Sequence, residues 1–297
     1  MLVVGVFGPT ASGKSDVAAA VAELIPAEVV SADAMQVYEG LPILTNRSPH
    51  RERLVSIWPL SHEPSVGEYA PLAHAAVDEI LAAGRTPLVV GGTGLYFRAA
   101  LADLELPPAP QPEDRERWSS FYDEAGAEAA HARLRELDPA AAERVHANDR
   151  RRVVRALELA AEGASLVPHA EQLFGGGWRH PTLVVGLDVP KAELDRRIAE
   201  RTRRMFDNGV EEEVRGALAG DVSVTARKVI GIDEIATLPR EAAVEALALR
   251  TRRYAAYQRK WMRRLEGLVM VAADRPPEEA AAEIVTLARA REHLSRP

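Results

Sequence analysis

Cysteine is absent from the 297 residues. Its absence excludes disulfides and thiolate zinc sites and leaves no sign of an oxidising compartment, so the cytoplasm is the expected location. No stretch approaches the roughly 20 uninterrupted apolar residues that a membrane span needs, and a soluble chain with no membrane partner is expected. The opening run MLVVGVFGPT is broken at once by Gly and Pro and has no basic leading segment, so it reads as a buried strand and not as a signal peptide. Internal repeats and low-complexity tracts are missing as well; the Ala-rich stretches look like helix filler. A general excess of positive charge is also lacking, with a net charge of -7. As an average this speaks weakly against a nucleic-acid partner, but electrostatic footprints are local and the basic residues here are clustered.

What is present is ordinary globular usage, 47% hydrophobic and 27% charged, enough for one large domain or two smaller ones. Apolar runs at 2–7, 28–31 and 86–90 alternate with helical patterns at 14–24 and 69–83. This is βαβ grammar, and it implies a mostly parallel sheet with helices on both faces. A Pro-rich break at 107–112 precedes an Ala/Glu/Arg-rich stretch without strand signals, which ends at a glycine run at 175–177. Residues 182–189 return as a strand. The remainder reads as helical apart from a short strand at 268–272.

Residues 8–15 read GPTASGKS and match G-x-x-x-x-G-K-[ST] between a strand and a helix. Gly8, Pro9, Thr10, Ala11, Ser12 and Gly13 let backbone N–H groups converge on a phosphate. The helix N-terminus adds partial positive charge, Lys14 neutralises phosphate oxygens, and the Ser15 hydroxyl can ligate Mg²⁺. The expected fold is therefore a P-loop NTPase-like α/β core over 1–112 and 175–297, with a helical insertion domain over 113–174. The loop alone does not choose among nucleotide-binding ATPases, kinases and transferases. Asp33, in SADAMQVYEG, lies at the carboxyl end of the second strand, where ligands bind in open α/β sheets. There it can bind a metal or take a proton from a hydroxyl or an amine; as a plain residue it would cap the next turn. A third cluster, VVGGTGLYF, offers glycines for close backbone approach and the Thr93 hydroxyl.

Taken in order, GPTASGKS, SADAMQVYEG, GGTGLYFRA, LDPAAAERVHANDRRRVVRALEL, RRMFDNGVEEEV and TRRYAAYQRKW resemble the tRNA dimethylallyltransferase family. The resemblance spans most of the chain. It implies that the P-loop holds the diphosphate of dimethylallyl diphosphate, with Mg²⁺ as cofactor, and that a five-carbon group passes to the exocyclic amine of the adenosine beside the anticodon. It also implies roles for particular residues. Asp33 would be the general base, with Thr10 and Thr93 near the reacting centre and Arg227 (in TARKVIG) near the diphosphate. Asp33, Ala34, Met35, Gln36, Arg115, Arg151, Arg152 and Arg155 would meet the tRNA anticodon stem-loop, clamped by the insertion, and the chain is expected to act as a monomer. Departures from the family pattern fall after Gly40, where D-I-G-T-A-K-P is replaced by residues 41–47, with Arg47 standing for the lysine. Paired histidines are missing from 53–57, and I-G-Y is Ile230-Gly231-Ile232.

Residues 250–264 contain seven Lys or Arg and no acid, with Tyr254, Tyr257 and Trp261 at helical spacing. The cations suit phosphates; the aromatic spacing is read as a burial stripe. Arg201, Arg203 and Arg204 form a further basic cluster, and three clusters in an acidic protein point to a common anionic partner. Rival readings are a prenyltransferase for free adenine nucleotides, a P-loop small-molecule kinase, and an RNA-binding protein with a vestigial loop.

Overall fold

The computed structural model describes residues 2–106, 112–167 and 177–294. Its strands are β1 (Val3–Phe7), β2 (Ala27–Ser31), β3 (Glu52–Arg53), β4 (Thr86–Gly91), β5 (Thr182–Asp188) and β6 (Val269–Ala272). They form one sheet in the order β3-β2-β4-β1-β5-β6, every pairing parallel. The chain divides into two compact units, Met1–Ala102 with Trp178–Pro297, and Asp103–Gly177. The first holds α1 (Lys14–Leu24), α2 (Val66–Ala82) and α3 (Gly94–Leu101). The second holds α4 (Pro112–Ala125), α5 (Ala127–Leu137), α6 (Pro139–Arg144) and α7 (Arg150–Ala161). The first unit then resumes with α8 (Lys191–Asp207), α9 (Val210–Leu218), α10 (Ile232–Thr237), α11 (Arg240–Met262) and α12 (Pro277–Leu294). Most of the Pro-rich break, 107–111, and most of the glycine run, 175–176, lie outside the described residues.

A parallel sheet covered on both faces demands unbroken apolar strands, and β1 supplies one, VVGVF, buried throughout. Val4 and Val6 join Val17 and Val21 of α1 and Ile284 of α12 in one cluster. The alternate positions meet α3: the Phe7 and Phe97 rings pack edge-on at 5.2 Å, and a Cβ on Gly5 would come within 2.7 Å of the Phe97 ring. Each fully buried Val, Leu or Phe contributes about 1.5–3 kcal/mol. The second unit has its own core, in which Trp118, Leu134, Val153 and Leu157 come together.

Two elements differ from the sequence reading. The two-residue edge strand β3 was not expected, because Glu52–Arg53 is polar and too short for any periodicity. Helix α2 starts at Val66, three residues before the expected start, because the Ser65 hydroxyl caps it by accepting from the Glu68 amide at 3.2 Å.

Candidate active site

Strand register brings three loops to one edge of the sheet. Phe7 pairs with Gly91 and Ser31 with Val90, so β1, β2 and β4 end level. The chain leaves them as the loops 8–13, 32–36 and 92–93. Cross-strand bonds continue past the strand ends, from the Gly8 amide to the Gly91 carbonyl and from the Ala32 amide to the Val90 carbonyl at 2.7 Å. A cleft of about 450 Å³ opens at this edge, entirely within the first unit.

Thr10 through Ser15 line the cleft, while Gly8 and Pro9 precede it in the turn, which the Ser12 amide closes on the Pro9 carbonyl at 3.2 Å. Ala11 and Gly13 have positive φ (64° and 86°), and Gly13 starts α1 from a left-handed conformation. A non-glycine residue in that region costs on the order of 1–3 kcal/mol and persists where its surroundings hold it, typically at a binding site. The Ser12 hydroxyl is buried and has no partner among the described residues. The Lys14 ammonium donates to the Pro9 carbonyl at 2.9 Å. Burial pushes its pKa down from 10.5 to about 8; the nearby Asp33 carboxylate opposes the shift and Arg201 adds to it. Arg201, on α8, lies in the same cleft with its Nε enclosed, and burial lowers its pKa to about 10. Two desolvated cations behind a cradle of amides form a pocket built for a multiply charged anion.

Asp33 lines the cleft facing this cradle and accepts from the Met35 amide at 2.9 Å, so it serves the local turn as well as the cleft. Met35 and Gln36 also line it, and Gln36 donates to the Thr45 carbonyl at 3.3 Å. Ala34 donates its amide to the Thr93 hydroxyl, and the Tyr254 hydroxyl of α11 approaches the same oxygen, each at 3.3 Å. Burial, with Asp33 close by, raises the Tyr254 pKa. The atypical 41–47 segment is held by Glu213 of α9, whose two carboxylate oxygens accept from the Ile43 and Leu44 amides at 2.8 and 2.7 Å. Arg47 is thereby kept in the cleft wall.

Sequence reasoning missed Gln258, which bonds the Thr10 amide and the Gly92 carbonyl, and Glu52, a cleft carboxylate whose pKa burial raises. The burial stripe of α11 was also misassigned. Its buried residues are Ala243, Leu247, Ala248, Thr251, Ala255, Gln258 and Met262, while Tyr257 is 54% exposed. The inward face must fit against glycine backbone: a Cβ on Gly92 would lie 2.3 Å from the Gln258 amide nitrogen, and one on Gly94 2.1 Å from the Trp261 ring.

The family model described as "IPP transferase" matches residues 36–265, and one described as "Isopentenyl transferase" matches residues 1–57. The chain belongs to the IPP transferase family. As a member of it, the chain is 37% identical to the tRNA dimethylallyltransferase of Corynebacterium jeikeium over 294 residues, covering 94% of each chain. It is 40% identical to that of Anaeromyxobacter dehalogenans over 297 residues, covering 96% of this chain and 99% of the other. Among solved structures, the full-length tRNA isopentenylpyrophosphate transferase of Bacillus halodurans superposes with a TM-score of 0.70 at 28% identity, covering 99% of this chain and 98% of that one.

In this IPP transferase the arginines singled out from the sequence fall in different places. Arg227 does not line the cleft; it is exposed on the 3₁₀ turn Ala226–Lys228, whose buried member is Ala226. The arginine set beside Lys14 is Arg201, from one of the basic clusters. Within the second unit, Arg115 and Arg155 meet at the buried Glu158, with separations of 3.6 and 2.9 Å. Arg151 and Arg152 are exposed at the start of α7, where Asp149 caps the helix by accepting from the Arg152 amide.

Proposed function

We propose that this IPP transferase moves a dimethylallyl group from dimethylallyl diphosphate to the exocyclic amine of the adenosine beside the anticodon in tRNA, releasing diphosphate. One observation carries the reading: an anion cradle with Lys14 and Arg201, and the Asp33 carboxylate opposite, line a single cleft. In the reaction the amine nitrogen bonds to the donor's primary carbon as the carbon–oxygen bond breaks. The electron pair leaves on the diphosphate, and the amine proton passes to Asp33. Lys14, Arg201 and the loop amides stabilise the growing charge, and fixed charges and dipoles of this kind usually lower the barrier more than any other single effect. An aromatic amine is a weak nucleophile, and a positioned base adds roughly 10²- to 10⁴-fold. Extruding the adenine from the loop costs a few kcal/mol, least where no continuous duplex holds it.

Mg²⁺ fits the donor set. The Ser15 hydroxyl, which lines the cleft beside Lys14, would help to hold the ion together with the anionic substrate. The ion would supply countercharge to the leaving group. No helix among the described residues is long and apolar enough to cross a membrane, and we place the reaction in the cytoplasm, where tRNA is found. The arginines at Glu158 and at the start of α7 would meet tRNA phosphates, in keeping with the relatives' action on tRNA.

Mass analysis of tRNA nucleosides after incubation with dimethylallyl diphosphate tests the reading, with AMP as a parallel acceptor and Asp33→Ala as control. The wild type is expected to add one prenyl group per reactive tRNA and to leave AMP unchanged, with the variant slowed by at least about 10²-fold. Consumption of a nucleoside triphosphate without prenyl transfer would reject it.

A further inference from the structure

Tyr257 is the one aromatic among the exposed large apolar side chains of the described residues, at 54% exposure. It lies one helical turn beyond Tyr254, which lines the cleft, and one residue before Gln258, which lines it too, so its exposed ring stands beside the cleft on α11. Its hydroxyl accepts from the Trp261 indole N–H at 2.8 Å. Trp261 in turn lies against Gly94, close enough that a Cβ there would meet the ring. The exposed ring is therefore tethered to a neighbour packed on the loop after β4, while about half of the residue stays open to solvent.

The charges around it are unevenly balanced. Arg250 pairs with Glu234, Arg252 with Asp195 and Arg259 with Asp188. Arg253 and Lys260, both exposed, form no ion pair among the described residues. They stand at i−4 and i+3 from Tyr257, on its own face of the helix and on the side away from Tyr254 and Trp261. A rigid aromatic ring beside two uncompensated cations suits a planar, uncharged ring linked to anions on either side, which is a nucleotide in single-stranded form.

We propose that Tyr257 is a stacking platform for an unpaired RNA base next to the acceptor nucleotide, with Arg253 and Lys260 holding the flanking phosphates. Extruding the acceptor base breaks its stacking with its neighbours, and the platform replaces one of those contacts beside the cleft. The inference rests on the reading of the substrate as RNA. It adds a determinant of acceptor binding separate from the donor cradle.

The test is binding of an anticodon stem-loop RNA, measured by fluorescence anisotropy at fixed salt, alongside prenyl transfer. Tyr257→Ala should weaken RNA binding by at least about fivefold, the lower end for loss of one base stack. Tyr257→Phe keeps the ring and should stay within about twofold of wild type. Inorganic pyrophosphate affinity and the melting temperature should be unmoved in both, because the residue is exposed and outside the donor cradle. Arg253→Ala should reduce the slope of log affinity against log salt by about one. Unchanged RNA affinity in Tyr257→Ala, or an equal loss in Tyr257→Phe, would overturn the platform while leaving prenyl transfer standing. A protein that binds RNA through Tyr257 yet transfers no prenyl group would uphold the platform and overturn the reaction.

Discussion

Gln258 accepts a hydrogen bond from the Thr10 amide at 2.7 Å while its own amide group donates to the Gly92 carbonyl at 3.0 Å. A side chain from α11, 2% exposed, thus ties the phosphate loop after β1 to the loop after β4 that carries Thr93. Methionine in its place would match the length but leave a buried N–H and a buried carbonyl unpaired, each costing about 1–3 kcal/mol. Gln258→Met should therefore lower the melting temperature. It should also lower kcat by about 10- to 100-fold, since small errors in relative placement cost that much. The Michaelis constant for the donor should change far less, because Lys14 and Arg201 remain. Steady-state kinetics with saturating tRNA check the split; a variant with unaltered kcat would show that the two loops do not need this tie.

Lys14 is placed for anion binding at the expense of stability. Its folded-state pKa of about 8 lies below the ordinary 10.5, so between these values the unfolded chain holds more protons than the folded one. The cost of burying its charge is present in full below about pH 8 and is relieved as pH rises to 10.5. At about 1.4 kcal/mol per pKa unit it is on the order of 3 kcal/mol. Lys14→Met should thus be more stable than wild type to urea at pH 7, with the gap closing towards pH 10.5, and should lose donor binding. In the wild type the Michaelis constant for the donor should climb above about pH 8, where the ammonium is lost. A constant flat to pH 10 would contradict the depressed pKa.

Arg201 and Arg227 should separate in the same assay. Arg201 sits in the cleft with a desolvated guanidinium, where its charge is poorly screened; Arg227 is exposed on a 3₁₀ turn. Arg201→Ala should reduce kcat/KM for the donor by at least about 10²-fold, the scale of one lost transition-state contact. Arg227→Ala should reduce it by less than about tenfold. The reverse order would return the diphosphate to Arg227.

The core and the phosphate loop were legible in the sequence because each rests on local pattern. An apolar run of five residues in β1, the GPTASGKS spacing and the glycines after β4 state their structure within a few neighbours. Asp33 was legible through its position at a strand end. Gln258 was not, since its partners lie 248 and 166 residues away and nothing around it departs from an ordinary helix surface. The role of α11 as a whole was obscured for a related reason. Tyr254, Tyr257 and Trp261 have the spacing of a core stripe, yet their surroundings are glycine backbone, a cleft and solvent. Periodicity reports which residues share a face; what that face meets is decided by tertiary structure.

The contact between Gly94 and Trp261 gives the most direct test of how α11 closes the site. A Cβ at position 94 would fall 2.1–2.2 Å from the indole ring, nearer than packed carbon atoms can come. Gly94→Ala must push the ring aside, and overpacking of this kind costs about 1–3 kcal/mol. Because Gln258 and Tyr254 ride on the same helix, the displacement should also slow prenyl transfer, by loosening their bonds to Thr10, Gly92 and Thr93. Replacing the indole removes the clash. The Gly94→Ala/Trp261→Ala double variant should therefore be more stable than the sum of the single changes implies, with a coupling of about 0.5–3 kcal/mol. Denaturant melts of the four proteins measure this coupling. Strict additivity would mean that helix and loop do not bear on each other, and the glycine would then be required only by its own backbone.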